Sequence, residues 1–137
     1  MGMSNDYEIA IAEGVKYFRG SLKNKLKRWA DCCNEFGIDS FHSVDADDPF
    51  FDYDLSLSSI KQLNNGYDLV KHSKHQPNYG FYEGCVGYSI SLEIIEKACD
   101  LKNTDDTEMM WDFIEKVPKV RVSHLEVESD NIEIPIR

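Results

Sequence analysis

Four carboxylates fall within eight residues, at Asp45, Asp47, Asp48 and Asp52, in the stretch Ser43-Val44-Asp45-Ala46-Asp47-Asp48-Pro49-Phe50-Phe51-Asp52. Carboxylate oxygens are hard ligands suited to Mg²⁺, and a bound cation would in turn hold phosphates. The plain alternative is an acidic surface loop in an acidic protein. Two further groups invite chemistry. His72 and His75 offer a pair of imidazoles in a polar loop, without a clear third ligand, so a solvated loop stands beside a metal site. Tyr79, Phe81 and Tyr82 suit either the wall of a ligand pocket or the edge of the core. Cys32, Cys33, Cys85 and Cys99 form no C-x-x-C pair and read as reduced, mostly buried thiols.

The elements around the acidic stretch give it a position. Ile38 to Val44 reads as a buried strand, and Pro49 ends it, because proline has no amide hydrogen and restricts Asp48 to an extended conformation. Before the strand, Leu22, Leu26, Trp29, Ala30, Cys33 and Phe36 recur at helical spacing from about Leu22 to Phe36, with Ser21 as cap and Gly37 as terminator. Lys23, Lys25, Lys27 and Arg28 surround that stripe. They suit phosphate contacts or a solvated face, and the lysines fit the solvated face better. A shorter helix precedes, from Ser4 or Asn5 to Ala12, followed by an extended run from Val15 to Phe18.

After the acidic stretch, Leu57, Ile60 and Leu63 mark a helix to Asn64, Tyr67 to Val70 a short strand, and Lys71 to Gly84 a loop long enough to be functional. Cys85 to Ile90 alternates as a strand. Ser91 caps a helix with Ile94, Ile95, Ala98 and Leu101 inward. A last helix begins near Asp105-Asp106, with Met110, Phe113, Ile114 and Val117 as its stripe. Val120 to Val127 and Ile132 to Ile136 alternate in two runs and predict a C-terminal β-hairpin. Alternating helices and strands imply an α/β domain with a largely parallel sheet, whose ligands bind beyond the carboxyl ends of the strands. Asp45 and Asp47 stand at such an end.

Composition narrows the class. The 137 residues suffice for one domain with one core, and 42% hydrophobic and 12% aromatic content exclude a disordered chain. Fifteen basic against twenty-five acidic residues give a net charge of -10, which argues against a nucleic-acid partner. The start has no signal-peptide pattern and no apolar run approaches the ~20 residues of a membrane span, so the expectation is a cytoplasmic protein with no membrane partner.

Taken in order, these features resemble a family. Phe18-Arg19-Gly20-Ser21, the helix with Leu26 and Arg28, and the strand running into Ala46-Asp47-Asp48-Pro49-Phe50-Phe51-Asp52 resemble the middle of the cytidylyltransferases that activate sugars. The subgroup related to spore-coat polysaccharide biosynthesis proteins is the nearest in pattern, and acylneuraminate cytidylyltransferases are of the same type. Tyr67-Asp68-Leu69-Val70 resembles the next strand, Tyr79-Gly80 with Glu83 and then Leu92 to Ala98 the acceptor-side loop and helix, and Thr107-Glu108 the start of the helix after it. In place of the His-Val-Thr that often follows in that subgroup stands Met109-Met110-Trp111.

The resemblance implies a single partial nucleotidyltransferase-like domain over 1–137. Its fold would be an incomplete Rossmann-like mixed sheet of the nucleotide-diphospho-sugar transferase type, with flanking helices and the C-terminal hairpin. It implies the reaction of CTP with a sugar to give CMP-sugar and pyrophosphate. Asp47 becomes the Mg²⁺-binding aspartate with Asp45 beside it, and Glu83, Tyr82 and Arg19 become substrate contacts. The family's glycine-rich nucleotide loop and second metal-binding aspartate have no counterpart in these residues, so the sequence reads as the interior of a longer enzyme, incomplete alone. A non-catalytic nucleotide- or sugar-binding module, or a protein-interaction module, is the alternative. The partners expected are CTP or a CMP-sugar, and a second copy or a complementing chain to cover the sheet.

Overall fold

The computed structural model describes residues 14–45, 51–72 and 86–125. The predicted N-terminal helix, Asp47, Asp48 and Pro49, most of the 71–84 loop with His75, Tyr79, Phe81, Tyr82 and Glu83, then Cys85 and the second hairpin run all lie outside the described residues.

The chain enters α1 (Lys25–Phe36) from a segment without regular structure, so the extended run expected over 15–18 forms no strand there. Leu26, Ala30 and Cys33 bury one face, as the helical spacing requires. Leu22, expected on that stripe, is 86% exposed, because the helix begins three residues later. Its cap is Asn24, whose side chain accepts from Lys27 N, and Ser21 instead accepts from Asn24 N. Gly37 takes the left-handed conformation that closes the helix and donates its amide to Cys33 O.

Then come β1 (Ser40–Ser43), α2 (Tyr53–Asn64), β2 (Leu69–His72), β3 (Tyr88–Ser91), α3 (Leu92–Leu101), the single turn α4 (Trp111–Ile114) and β4 (Val122–Leu125). The sheet order is β1-β3-β2-β4. β3 runs antiparallel to both β1 and β2, and β4 runs parallel to β2. The sheet is therefore mixed and not largely parallel. Strands β1, β2 and β4 still share one direction, and β3 is inserted against them.

Side chains alternate across a strand, so the register sorts the faces. Phe41, Ile90, Leu69 and Val122 share one row, and Ser43, Tyr88 and Lys71 lie further along the same face. Helices α1, α3 and α4 cover it, building a core from Leu26, Ile94, Ile95, Ala98, Phe113 and Ile114. The opposite face carries Val70 and Leu125, which pack with Leu63 of α2 and with Val86. This arrangement is a three-layer α/β/α sandwich.

Two helices differ from expectation for physical reasons. Helix α2 starts at Asp52, whose carboxylate accepts from Leu55 N, and it buries Ser56 and Ser59 while Leu57 and Ile60 stay half-buried. A polar chain in the sheet explains the buried serines: Ser59 Oγ meets Ser89 Oγ at 2.7 Å, and Ser89 Oγ meets His42 Nδ1 at 2.8 Å. The predicted last helix shrinks to the single turn α4, and Thr107 ahead of it is tied to the start of α1, its N–H donating to Lys23 O and its Oγ1 accepting from Leu26 N. At the end of α3, Leu101 is 52% exposed and not inward.

Candidate functional site

Because β1, β2 and β4 run the same way, their carboxyl ends lie along one edge of the sheet, where β3 begins. Asp45 follows the end of β1 on that edge. Its carboxylate lies 3.4 Å from Nζ of Lys25, the first residue of α1. The lysine side chain is 15% exposed and the aspartate 55%, so the cation is held inward and the anion faces solvent.

Behind the pair stands a wall of rings. Lys25 Nζ sits 5.0 Å over Trp29. Trp29 contacts Phe41 edge-on and Tyr88 at 6.0 Å, and Tyr88 meets Trp111 edge-to-face at 4.9 Å. At the far end, Lys71 Nζ sits 5.0 Å over Trp111 and 3.9 Å from Glu115. Two half-buried ammonium groups thus bracket an aromatic wall, each stabilised by a ring face. Tyr88 O–H donates to Met110 Sδ. Burial pushes the Tyr88 phenol well above its ordinary range, the charge of Asp45 adds to this, and Ser43 acts against it. The phenol keeps its proton and acts as a donor.

Local sequence dictates how these groups meet. Gly87 adopts φ 64°, and a Cβ there would collide with the Ser43 carbonyl oxygen. Only glycine lets the start of β3 approach the end of β1 this closely. Lys25 is set by the double cap on α1. Asn24 Oδ1 accepts from Lys27 N and from Thr107 Oγ1, and Thr107 Oγ1 accepts from Leu26 N.

The expected site residues fall in different places. Asp45 is on the edge just described. Asp47, Tyr82 and Glu83 lie outside the described residues. Arg19 is exposed and lines a groove of about 510 Å³ with Val15, Lys16, Tyr17, Phe18, Glu35 and Phe36. That groove reaches the last turn of α1, whereas Asp45 pairs with the first, and the described residues do not bring the two together. Asp52, the fourth carboxylate of the acidic stretch, caps α2. His72 ends β2.

The sequence pattern alone places Lys25 among the solvated lysines and Lys71 in a loop. The i,i+4 spacing of Lys25 and Trp29 was the signal for the first. For Lys71, the signal is its place two residues after Leu69, on the same face of a strand that ends two residues later than expected.

Mg²⁺ needs oxygen ligands, several of them from water or phosphate. At this edge Asp45 is one suitable donor, and among the described residues no three His, Cys, Asp or Glu side chains gather to hold a metal. Among the described residues the cysteines offer no alternative centre: Cys32, Cys33 and Cys99 are free thiols, and burial raises the pKa of each, Cys33 to about 11. Among the described residues no helix is long and apolar enough to cross a membrane.

No protein-family model matches the sequence, and no curated protein matches it. Among solved structures, the chain is similar to a cytidylyltransferase from Leptospira borgpetersenii serovar Hardjo-bovis (strain JB197), with a TM-score of 0.76 and 19% sequence identity. The similarity covers 93% of this chain and 54% of that one, so the chain spans about half the length of the structure it matches. At this identity the likeness is one of fold: an α/β fold shared with part of that cytidylyltransferase.

Proposed function

We propose that the chain serves sugar activation as a cytidylyltransferase-like protein that binds CTP or a CMP-sugar at the carboxyl edge of its sheet. The observation that carries this reading is Asp45 at the end of β1, 3.4 Å from the inward-held Lys25, in a fold shared with a cytidylyltransferase. Ligands of open α/β sheets bind at such an edge. In this reading Lys25 and Lys71 face the anionic part of the ligand. Asp47 with Asp45 would hold Mg²⁺, which when bound neutralises phosphate charge. Arg19, Tyr82 and Glu83 are the proposed substrate contacts, and a second copy or complementing chain covers the sheet edges left unpaired among the described residues.

Thermal unfolding with and without nucleotide tests the proposal. CTP or a CMP-sugar should raise Tm in the presence of Mg²⁺ and not in its absence, and Asp47→Ala should abolish the shift. An unchanged Tm with CTP and Mg²⁺ sinks it. A second reading, a binding module without chemistry, is favoured by the character of the described groups: cations, ring faces and a protonated phenol bind and orient, and Asp45 is engaged by Lys25. Pyrophosphate release from CTP with a panel of acidic sugars separates enzyme from binder.

A further inference from the structure

Beside the aromatic wall, on the same face of the sheet, a cleft of about 330 Å³ opens between the end of α4 and strands β2 and β4. Its volume falls in the low part of the ~300–1,000 Å³ range of small-molecule sites. Leu69, Ile114, Val117, Val120 and Val122 form an apolar lining. The first three are buried, at 3%, 1% and 5% exposure, while Val122 at 39% stands at the opening.

Three charged residues complete the lining: Lys71, Glu115 and Lys119. Lys71 is 22% exposed, and its carboxylate neighbour Glu115 is 3.9 Å away and 60% exposed. A charge pair that long, with its anion in water, adds little to the Trp111 ring face in offsetting the cost of holding this ammonium group inward. Lys119 adopts φ 60°, the left-handed region that side-chain-bearing residues avoid. Backbone held in such a conformation concentrates at ligand sites. Arg121, the next cation along the chain, is engaged by Asp68 in a two-pronged pair and is committed to joining β2 and β4.

We infer that this cleft binds a small organic anion with a compact apolar body, of the aryl phosphate or aryl carboxylate class, its anionic group between Lys71 and Lys119. Apolar walls fix the class of body, and two cations against one outward carboxylate fix the sign. The whole chain carries -10, so long-range attraction does not assist and the contacts must supply the affinity. The inference shares Lys71 with the nucleotide reading but needs neither Mg²⁺ nor the acidic stretch, and a chain that ignores CTP would still bind the anion here.

Methyl-detected NMR on the full chain, without nucleotide or Mg²⁺, is the test. Phenyl phosphate at millimolar concentration should shift the methyls of Val117, Val120 and Val122 saturably, and benzyl alcohol and benzylamine should bind about tenfold more weakly or worse. Lys71→Met should weaken binding by a similar factor. Lys119→Gly should do the same while keeping the fold, since glycine accepts the left-handed backbone. Absence of saturable shifts at these methyls overturns the inference. So does equal binding of benzyl alcohol, or wild-type affinity in both lysine variants.

Discussion

Gly87 concentrates in one residue the demand that joins the end of β1 to the start of β3. Its φ of 64° disfavours any side chain, and an added Cβ would run into the Ser43 carbonyl. Gly87→Ala should therefore cost about 3 kcal/mol or more, well above the ~1 kcal/mol of an ordinary glycine-to-alanine strain. Denaturant unfolding measures it, and a loss under 1 kcal/mol would mean the two strands separate freely. His42, one residue before Ser43, carries a pH dependence. Its Nδ1 meets Ser89, its Nε2 is buried without a hydrogen-bond partner among the described residues, and Phe51 lies against the ring. Burial lowers its pKa from 6.5, and the Val86 backbone acts in the other direction. The folded state thus holds the neutral ring and the unfolded state takes up the proton first. This contribution is fully present above pH 6.5 and is lost as pH falls through the lower folded value. Carboxylates also titrate on acidification, so the measurement is a comparison: Tm should fall more steeply below about pH 6.5 in the wild type than in His42→Asn. Equal slopes would show that the imidazole is not the group responsible.

At the scale of elements, the first turn of α1 is held from 83 residues away. Thr107 donates to Asn24 Oδ1, accepts from Leu26 N, and fixes its own backbone on Lys23 O. Asn24→Ala removes a helix cap and leaves the buried Thr107 hydroxyl short of an acceptor. The cap alone is worth ~1 kcal/mol and the orphaned hydroxyl about another 1–3, so a loss of about 2–4 kcal/mol is expected in denaturant unfolding. A ligand that uses Lys25 should weaken in the same variant, because the helix start that carries Lys25 loosens. The same contact explains what was legible in the sequence. The stripe of Leu26, Ala30 and Cys33 and the stop at Gly37 are local patterns, and they could be read directly. The cap could not: Ser21 and Asn24 are both good capping residues, and the choice falls to Asn24 because a distant threonine needs it. Likewise, Asp52 was one carboxylate among four until its bond to Leu55 N made it a cap. The direction of β3 was also hidden, since alternation along a strand is the same whichever way it runs. Of the site itself, the sequence located the carboxyl end of β1 through Asp45. Lys71 escaped because β2 extends to His72, two residues past the apolar run that marks it.

The whole molecule poses a question of coverage. Among the described residues β1 pairs with β3 alone and β4 with β2 alone, so each outermost strand shows one unpaired side. Val15, Tyr17 and Leu22, in the segment that leads to α1, are more than half exposed. Open edges and exposed apolar side chains are surfaces that a second subunit can bury. A dimer is therefore expected in sedimentation velocity at micromolar concentration. The charge of the chain makes that expectation sharper. Two copies at -10 each repel one another at long range, and salt screens that repulsion over a Debye length of about 10 Å at 0.1 M. An interface made of strand pairing and apolar contact should then tighten as salt is raised, whereas one made of ion pairs should weaken. Sedimentation across a series of salt concentrations reads the difference. Dimer fraction rising with salt supports an apolar or edge-paired interface, and a monomer at every salt concentration refutes self-association as the cover for these edges.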